Sequence, residues 1–250
     1  MEPTVYGTVG KSELSDSVVL FNRVKKLKAI SAKNINNELY ASEQPVLAKI
    51  GEQTYSSQNN FYTETFTKIG GVVYILDATL SEERTGQDEK LINQVFPGVN
   101  KFAVIVTDLA WPHIGGIRYW VSKGATIISH SASKDFLEKV VNRQWTIQPD
   151  ELQKNPRKMK FIAVNKIADI AGGNIKVFPI DGIGSEGALA CFLANDHLLL
   201  ASDYIQNIAG PTSYAMNVIN AVNREGLKPE RMIAEHVGLA EWDKVLKVNN

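Results

Sequence analysis

The sequence V-I-V-T-D-L-A-W-P-H-I-G-G-I-R-Y, which runs from Val104 to Tyr119, is the stretch from which the fold can be inferred. It continues an apolar, β-branched run that begins at Ala103 and is typical of a buried strand. A loop containing His113 follows, and paired glycines then lead into a segment with helical spacing. The stretch therefore predicts a strand–loop–helix unit whose loop lies at the carboxyl edge of a sheet, where open α/β sheets bind ligands.

The composition indicates a globular protein with a sizeable core. Of the 250 residues, 44% are hydrophobic, and 27 Lys and Arg residues balance 27 Asp and Glu residues. This balance argues against a nucleic-acid-binding protein held by bulk electrostatics. The single cysteine, Cys191, excludes an intrachain disulfide framework and a cysteine-type zinc site. No apolar run approaches the roughly 18 residues that a membrane span needs.

Residues 1–45 are predicted to form an N-terminal extension, and residues 46–250 the main domain. Within the extension, Leu20, Val24 and Leu27 share one face at helical spacing, which predicts an amphipathic helix packed on the domain. A partner-binding or substrate-covering element and a basic membrane-surface helix are the alternatives. The chain starts without the basic and apolar regions of a signal peptide, so we expect a cytoplasmic protein, or an exported one if a leader has been removed.

Strand and helix patterns alternate through the main domain. Period-two alternation from Val46 onward predicts antiparallel hairpins, and strands alternating with helices between residues 103 and 141 predict parallel pairing. A terminal helix is expected from about Leu239 to Leu246. Strands followed by helices, twice over, predict two similar halves, each a mixed sheet with helices on its outer face.

Four segments resemble motifs of the metallo-β-lactamase-fold superfamily. The flanks of Val104–Tyr119 match the family pattern in which Thr is followed by H-x-H-x-D-H-x-G-G. Segments 198–204 and 233–238 resemble strand ends that carry an Asp and a His ligand, and segment 181–189 resembles G-P-x-H-S-x-G-x-L. The resemblance extends from about residue 46 to residue 237. It implies an α/β fold, a four-layer αββα sandwich.

The resemblance also implies that most metal-binding positions of the family have lost their ligands. The family's three-histidine site falls on positions that offer one potential ligand: Asp108, Ala110 and Gly184. Its second site falls on positions that offer three: Pro112, His113, Asp203 and His236. We therefore expect the usual two-metal centre to be absent.

Two functions are compatible with this pattern. The first is a metal-free protein that binds or transforms a small organic molecule by non-hydrolytic or acid–base chemistry, as a lyase or cyclase would, with Asp108, His113 and His236 as the acid–base groups. The second is a hydrolase-like enzyme in which His113, Asp203 and His236 hold one zinc, iron or manganese ion. A scaffold subunit whose pocket no longer functions is a third possibility, and homo-oligomerisation is open.

Trp111 and Tyr204 are the residues expected to wall an aromatic ligand pocket, although either could belong to the core. Purely structural roles are also open for the polar candidates. Asp203 and His236 could form a buried ion pair, and His113 could cap the helix that follows Gly115.

Overall fold

The computed structural model describes residues 44–59, 62–145, 148–182, 187–212 and 214–249. The helix predicted in the N-terminal extension lies outside these residues, and so does Gly184. The described residues form a seven-stranded sheet and a six-stranded sheet with helices. The predicted α/β architecture, a four-layer αββα sandwich, is confirmed.

The seven-stranded sheet follows the order of the chain. Its strands are β1 (Val46–Lys49), β2 (Thr54–Gln58), β3 (Thr63–Ile69), β4 (Val72–Leu76), β5 (Phe102–Ile105), β6 (Thr126–His130) and β7 (Lys160–Val164). Strands β1 to β4 pair antiparallel, whereas β4 to β7 pair parallel. Both predictions about strand pairing are confirmed, and the parallel strands β4, β5 and β6 end at the same edge of the sheet.

The six-stranded sheet has the order β13-β12-β11-β10-β9-β8. Its strands are β8 (Ala168–Ile170), β9 (Ile175–Pro179), β10 (Leu189–Leu193), β11 (Leu198–Leu200), β12 (Arg231–Ala234) and β13 (Gly238–Glu241). Only β11 and β12 are parallel neighbours among these strands, so their carboxyl ends also lie together. The predicted start of the terminal helix at Leu239 was wrong, because Leu239 and Ala240 belong to β13 and pair with β12 in an antiparallel ladder.

The helices cover the outer faces of the two sheets. They are α1 (Glu82–Val95), α2 (Trp111–Ile114), α3 (Ile117–Ser122), α4 (Lys134–Val141), α5 (Glu151–Lys154), α6 (Ala215–Arg224) and α7 (Trp242–Asn249). One apolar cluster lies between the sheets, and each sheet shares a further cluster with the helices on its outer face. In the described part of the chain, no helix is both long and apolar enough to cross a membrane.

The paired glycines of the opening stretch let α2 and α3 pack closely against the start of α1. A Cβ atom on Gly115 would overlap the carbonyl oxygen of Leu80, and one on Gly116 would overlap the Thr85 hydroxyl. This close approach brings the short helix α2, which carries His113, next to the end of β4. The two glycines therefore have a packing role that positions the loop predicted to bind a ligand.

An ion pair fixes the segment after α4 to α3. Arg118 donates bidentately to the Asp150 carboxylate, and it also donates to the carbonyl oxygens of Val140 and Val141 at the end of α4. Burial raises the pKa of Asp150, but hydrogen bonds from Arg118 and from the Gln153 amide outweigh this effect, so the net pKa is lowered. The ionised carboxylate is therefore the form that stabilises this segment.

We expect the contribution of Asp150 to stability to disappear in acid. Because its pKa is lower in the folded than in the unfolded chain, the stabilisation is fully present above the unfolded value of about 3.9 and is lost as the pH falls through the folded value. Urea unfolding between about pH 6 and about pH 3 should show the wild-type protein converging on an Asp150→Asn variant at the acid end. A constant difference between the two proteins across this range would contradict the prediction.

Candidate functional site

The ends of four strands meet at one edge of the two sheets. Asp77 follows β4 and Thr107 follows β5, while Ser202 follows β11 and Glu235 follows β12. All four residues are buried. Since β4 and β5 are parallel neighbours, as are β11 and β12, each sheet contributes two adjacent strand ends. This is the edge at which the opening stretch predicts a ligand site.

Asp77 connects the two sheets at this edge. Its Oδ1 accepts from the Thr107 amide at 2.7 Å, and its Oδ2 accepts from the hydroxyls of Thr107 at 2.7 Å and Ser202 at 3.0 Å. Asp77 and Ser202 have left-handed backbone conformations, with φ of 65° and 52°. Such conformations are costly for residues other than glycine and persist where surrounding contacts hold them. The carboxylate of Asp77 is therefore held in a fixed orientation.

His113 lies among these strand-end residues, with 1% of its side chain exposed. Together with His113 and Asp203, they are called the polar cluster below. Its Nδ1 is 3.1 Å from Asp77 Oδ2, 3.3 Å from Glu235 Oε1 and 3.3 Å from the Ser202 hydroxyl. Its Nε2 is 3.6 Å from Asp203 Oδ2. Both ring nitrogens therefore face carboxylates.

The carboxylates around His113 favour its protonated form. Burial lowers the pKa of His113, but the charge of Asp77 and hydrogen bonds to Asp203, Asp77 and Glu235 outweigh burial and raise the pKa far above its ordinary value. Burial likewise raises the pKa of Asp203, whereas the hydrogen bond and charge of His113 lower it, with a net lowering. His113 and Asp203 thus form an ion pair at the rim of the cluster.

Glu235 is the least satisfied member of the cluster. It is buried, and no donor among the described residues has good hydrogen-bond geometry to its Oε2. The Tyr62 hydroxyl is the nearby polar group: burial, and then the Glu235 carboxylate, raise the pKa of Tyr62. Burial raises the pKa of Glu235, and His113 only partly opposes this effect. Next to it, the exposed His236 has its ring edge-on to Tyr62, with 5.0 Å between the ring centroids. The cluster therefore contains a buried carboxylate oxygen without a described hydrogen-bond donor.

Two sets of potential metal-ligand atoms occur here, each with all atoms within 4.8 Å of one another. One set comprises Asp203, Glu235 and His236, and the other comprises Asp77, His113 and Glu235. The sequence-predicted trio of His113, Asp203 and His236 does not form such a set among the described residues. Asp203 and His236 lie together, but Glu235 is the third member of their set, while His113 contacts Asp203 through Nε2.

The other predicted site residues lie around this cluster. Asp108 Oδ1 accepts from the Ala110 amide at 2.7 Å, and its Oδ2 accepts from the Tyr204 hydroxyl at 3.3 Å. Tyr204 is only 4% exposed, and its one hydroxyl proton is shared between Asp108 Oδ2 and the nearer Thr107 carbonyl oxygen at 3.0 Å. Trp111 is 52% exposed and lines a cavity of about 480 Å³ together with Trp145 and other residues. Tyr204 does not line this cavity, so the two aromatic residues do not share it.

Asp77, Thr107, Ser202 and Glu235 are the members of the cluster that the sequence did not predict as site residues. None of them lies at a position that the family resemblance marks as a ligand. Their positions in the sequence are the signal that could have identified them. Each follows an apolar strand, and the neighbouring strand in the sheet also ends in a polar residue of the cluster. Parallel pairing of those strands brings such residues together.

Comparison with known proteins supports the fold. No protein-family model and no curated protein sequence matches the chain. Among solved structures, the DIM-1 metallo-β-lactamase matches with a TM-score of 0.62 and 12% identity over 82% of this chain and 95% of that one. Metallo-β-lactamases from Erythrobacter litoralis (TM-score 0.61, 11% identity, 82% and 94% covered) and Hirschia baltica (0.62, 12%, 82% and 96%) match similarly. At these identities, the similarity bears on the fold alone.

Proposed function

We propose that this chain, a divergent protein with the metallo-β-lactamase fold, is a hydrolase-like enzyme that holds one divalent metal ion and acts on a small organic molecule. The observation that carries this proposal is the close grouping of Asp203, Glu235 and His236. One imidazole and two carboxylates are suitable ligands for zinc, iron or manganese. The buried Glu235 Oε2, which lacks a described donor, is a ligand atom that such an ion would satisfy.

The charge balance of the cluster supports a bound cation. Three carboxylates, those of Asp77, Asp203 and Glu235, surround the single imidazole of His113. Buried negative charge without a matching positive charge is costly. Burial, and to a lesser extent the charge of Asp77, raise the pKa of Glu235, and a bound divalent cation would favour its ionised form.

A second metal ion in the manner of the family is not supported by the residue types. Ala110 offers a methyl group, Pro112 a ring without a donor atom, and Gly184 no side chain. Asp108 is the remaining candidate at these positions, and among the described residues it belongs to neither set of potential ligand atoms. The proposal is therefore limited to one metal ion.

Each residue of the cluster has a distinct part in the proposed site. The metal ion, when bound, supplies a Lewis acid at Asp203, Glu235 and His236. His113 orients the Asp203 carboxylate through Nε2, and Asp77 fixes the ring of His113 through Nδ1. Residues that hydrogen-bond to a metal ligand without binding the metal set the orientation and the basicity of that ligand. His236 is the exposed member of the set and lies on the side from which a substrate can approach.

Metal analysis tests the proposal directly. Protein purified without chelator and reconstituted separately with zinc, iron and manganese should bind one ion per chain. A His236→Ala variant should lose that ion, because it removes the only imidazole of the set. His197→Ala is the matched control, since His197 is exposed and lies in a turn away from the cluster. Stoichiometry near zero after reconstitution, or near two, would contradict the proposal.

The second candidate is the metal-free protein with acid–base chemistry, of the lyase or cyclase type. One observation favours it: His113 already has Asp77 and Asp203 on its two ring nitrogens, and this arrangement can hold an imidazolium without a metal ion. His113, His236 and Asp108 would then be the acid–base groups. A stoichiometry near zero with no change of melting temperature on adding metal ions would favour this candidate.

A further inference from the structure

A second cavity lies at the opposite edge of the seven-stranded sheet from the proposed metal site. It has a volume of about 440 Å³ and is lined by residues at the amino ends of β4 to β7 and by Ile170 of β8. The polar cluster lies at the carboxyl ends of β4 and β5, so the two sites are separated by the length of these strands. The size falls within the range of small-molecule pockets.

The rim of this cavity is positively charged. Lys101 precedes β5, Lys160 begins β7, and Arg157 comes shortly before Lys160. No lining residue is acidic, and in the described ranges none of these three residues forms an ion pair. A fourth lining cation, Lys123, is different because its ammonium is 3.0 Å from Glu89.

Two of the three cations meet at one point of the rim. The Lys160 ammonium donates to the carbonyl oxygen of Gly124 at 3.3 Å. The Arg157 guanidinium lies over the same glycine, since a Cβ on Gly124 would be 2.8 Å from its Nη1. Lys160 also pairs in register with Thr126, the first residue of β6, which lines the cavity. Cations that form no ion pair with the described residues are suited to a carboxylate or a phosphate group, because their own N–H groups can donate charge-assisted hydrogen bonds to it.

Part of the lining is apolar. Val72, Ile128 and Ile162 of the first sheet and Ile170 of the second line the cavity. Ile162 is 44% exposed, whereas Ile128 belongs to the apolar cluster between the sheets. The cavity therefore has a cationic rim, and its apolar wall continues into the apolar cluster between the two sheets.

We propose that this cavity binds an organic anion with an apolar body, such as a medium-chain carboxylate. The anionic group would lie at Lys101, Arg157 and Lys160, and the hydrocarbon part would cover Ile162 and the neighbouring apolar side chains. Both contributions are needed, because exposed charge pairs contribute little by themselves and the apolar side chains gain from leaving water. This inference does not depend on the proposed metal site.

Calorimetric titration of the full-length chain with decanoate tests this proposal. We expect saturable single-site binding that weakens with added salt. Lys160→Gln and Arg157→Gln should each weaken it about three- to five-fold, which is the effect of losing one exposed charge pair. Lys154→Gln is the matched control, because Lys154 is an exposed lysine that does not line this cavity. Decyl phosphate, titrated in parallel, shows whether the rim prefers a carboxylate or a phosphate.

Acetate and decanol separate the two contributions. Acetate carries the charge without the apolar body, and decanol carries the apolar body without the charge, so each should bind much more weakly than decanoate. Equal affinity for decanol and decanoate would overturn the proposed role of the cations. The absence of saturable decanoate binding, or equal losses in Lys154→Gln and Lys160→Gln, would overturn the site itself.

Discussion

Replacing Asp77 with alanine is expected to lower the free energy of unfolding by about 3–5 kcal/mol, the usual cost of removing one partner from a buried ion pair. Asp77 accepts from Thr107, Ser202 and His113, and all of these groups are buried. Its loss removes the acceptor that two hydroxyls, one amide and one imidazole share. Urea unfolding of the purified protein measures the change.

Two variants separate this effect from a simple loss of volume. Asp77→Asn keeps the shape and one oxygen acceptor but removes the charge that faces His113, so we expect a smaller loss than for alanine. Asp169→Ala is the control for a carboxylate that is mostly exposed and pairs with Lys176. If Asp77→Ala were no more destabilising than Asp169→Ala, Asp77 would not be the connection between the two sheets.

The fold could be predicted because its decisive patterns are local. The apolar run before Thr107 and the glycine pair at Gly115 and Gly116 each predict one element, and strand–helix alternation implies parallel pairing. The terminal strand could not be predicted in this way. Leu239 and Ala240 lie in a short segment that suits either a helix or a strand, and pairing with β12 decides between them.

The polar cluster could be predicted only in part. Asp203 and His236 can be predicted as site residues because they follow apolar strands in motifs that resemble those of the family. Glu235 cannot be predicted in this way, since a glutamate is usually exposed to solvent. Its burial depends on contacts between distant segments, among them the hydrogen bond from its amide to the Ser202 carbonyl oxygen and the one from the Thr63 amide to its own carbonyl oxygen. The left-handed backbone of Asp77 likewise depends on tertiary contacts.

Replacing Glu235 with glutamine is expected to weaken metal binding by more than about 100-fold. This exceeds the usual effect of losing a residue that hydrogen-bonds to a metal ligand without binding the metal. Glutamine keeps the shape of the side chain but removes the negative charge. The family resemblance places an acidic ligand at the position of Pro112, which has none to offer. In the proposed site, Glu235 supplies the missing carboxylate from the end of β12 instead.

Competition for zinc with a chromophoric chelator measures this effect, and two further variants determine its meaning. Asp77 supports the ligands without belonging to the proposed set, through its contact with His113 and its charge next to Glu235. The loss of affinity in Asp77→Asn should therefore stay within about 10- to 100-fold. Asp108→Asn should leave the affinity nearly unchanged, because Asp108 belongs to neither set of potential ligand atoms among the described residues. If Asp108→Asn weakened zinc binding more than Glu235→Gln, the metal ion would lie nearer the family's first site, and Glu235 would be a buried acid that stabilises His113.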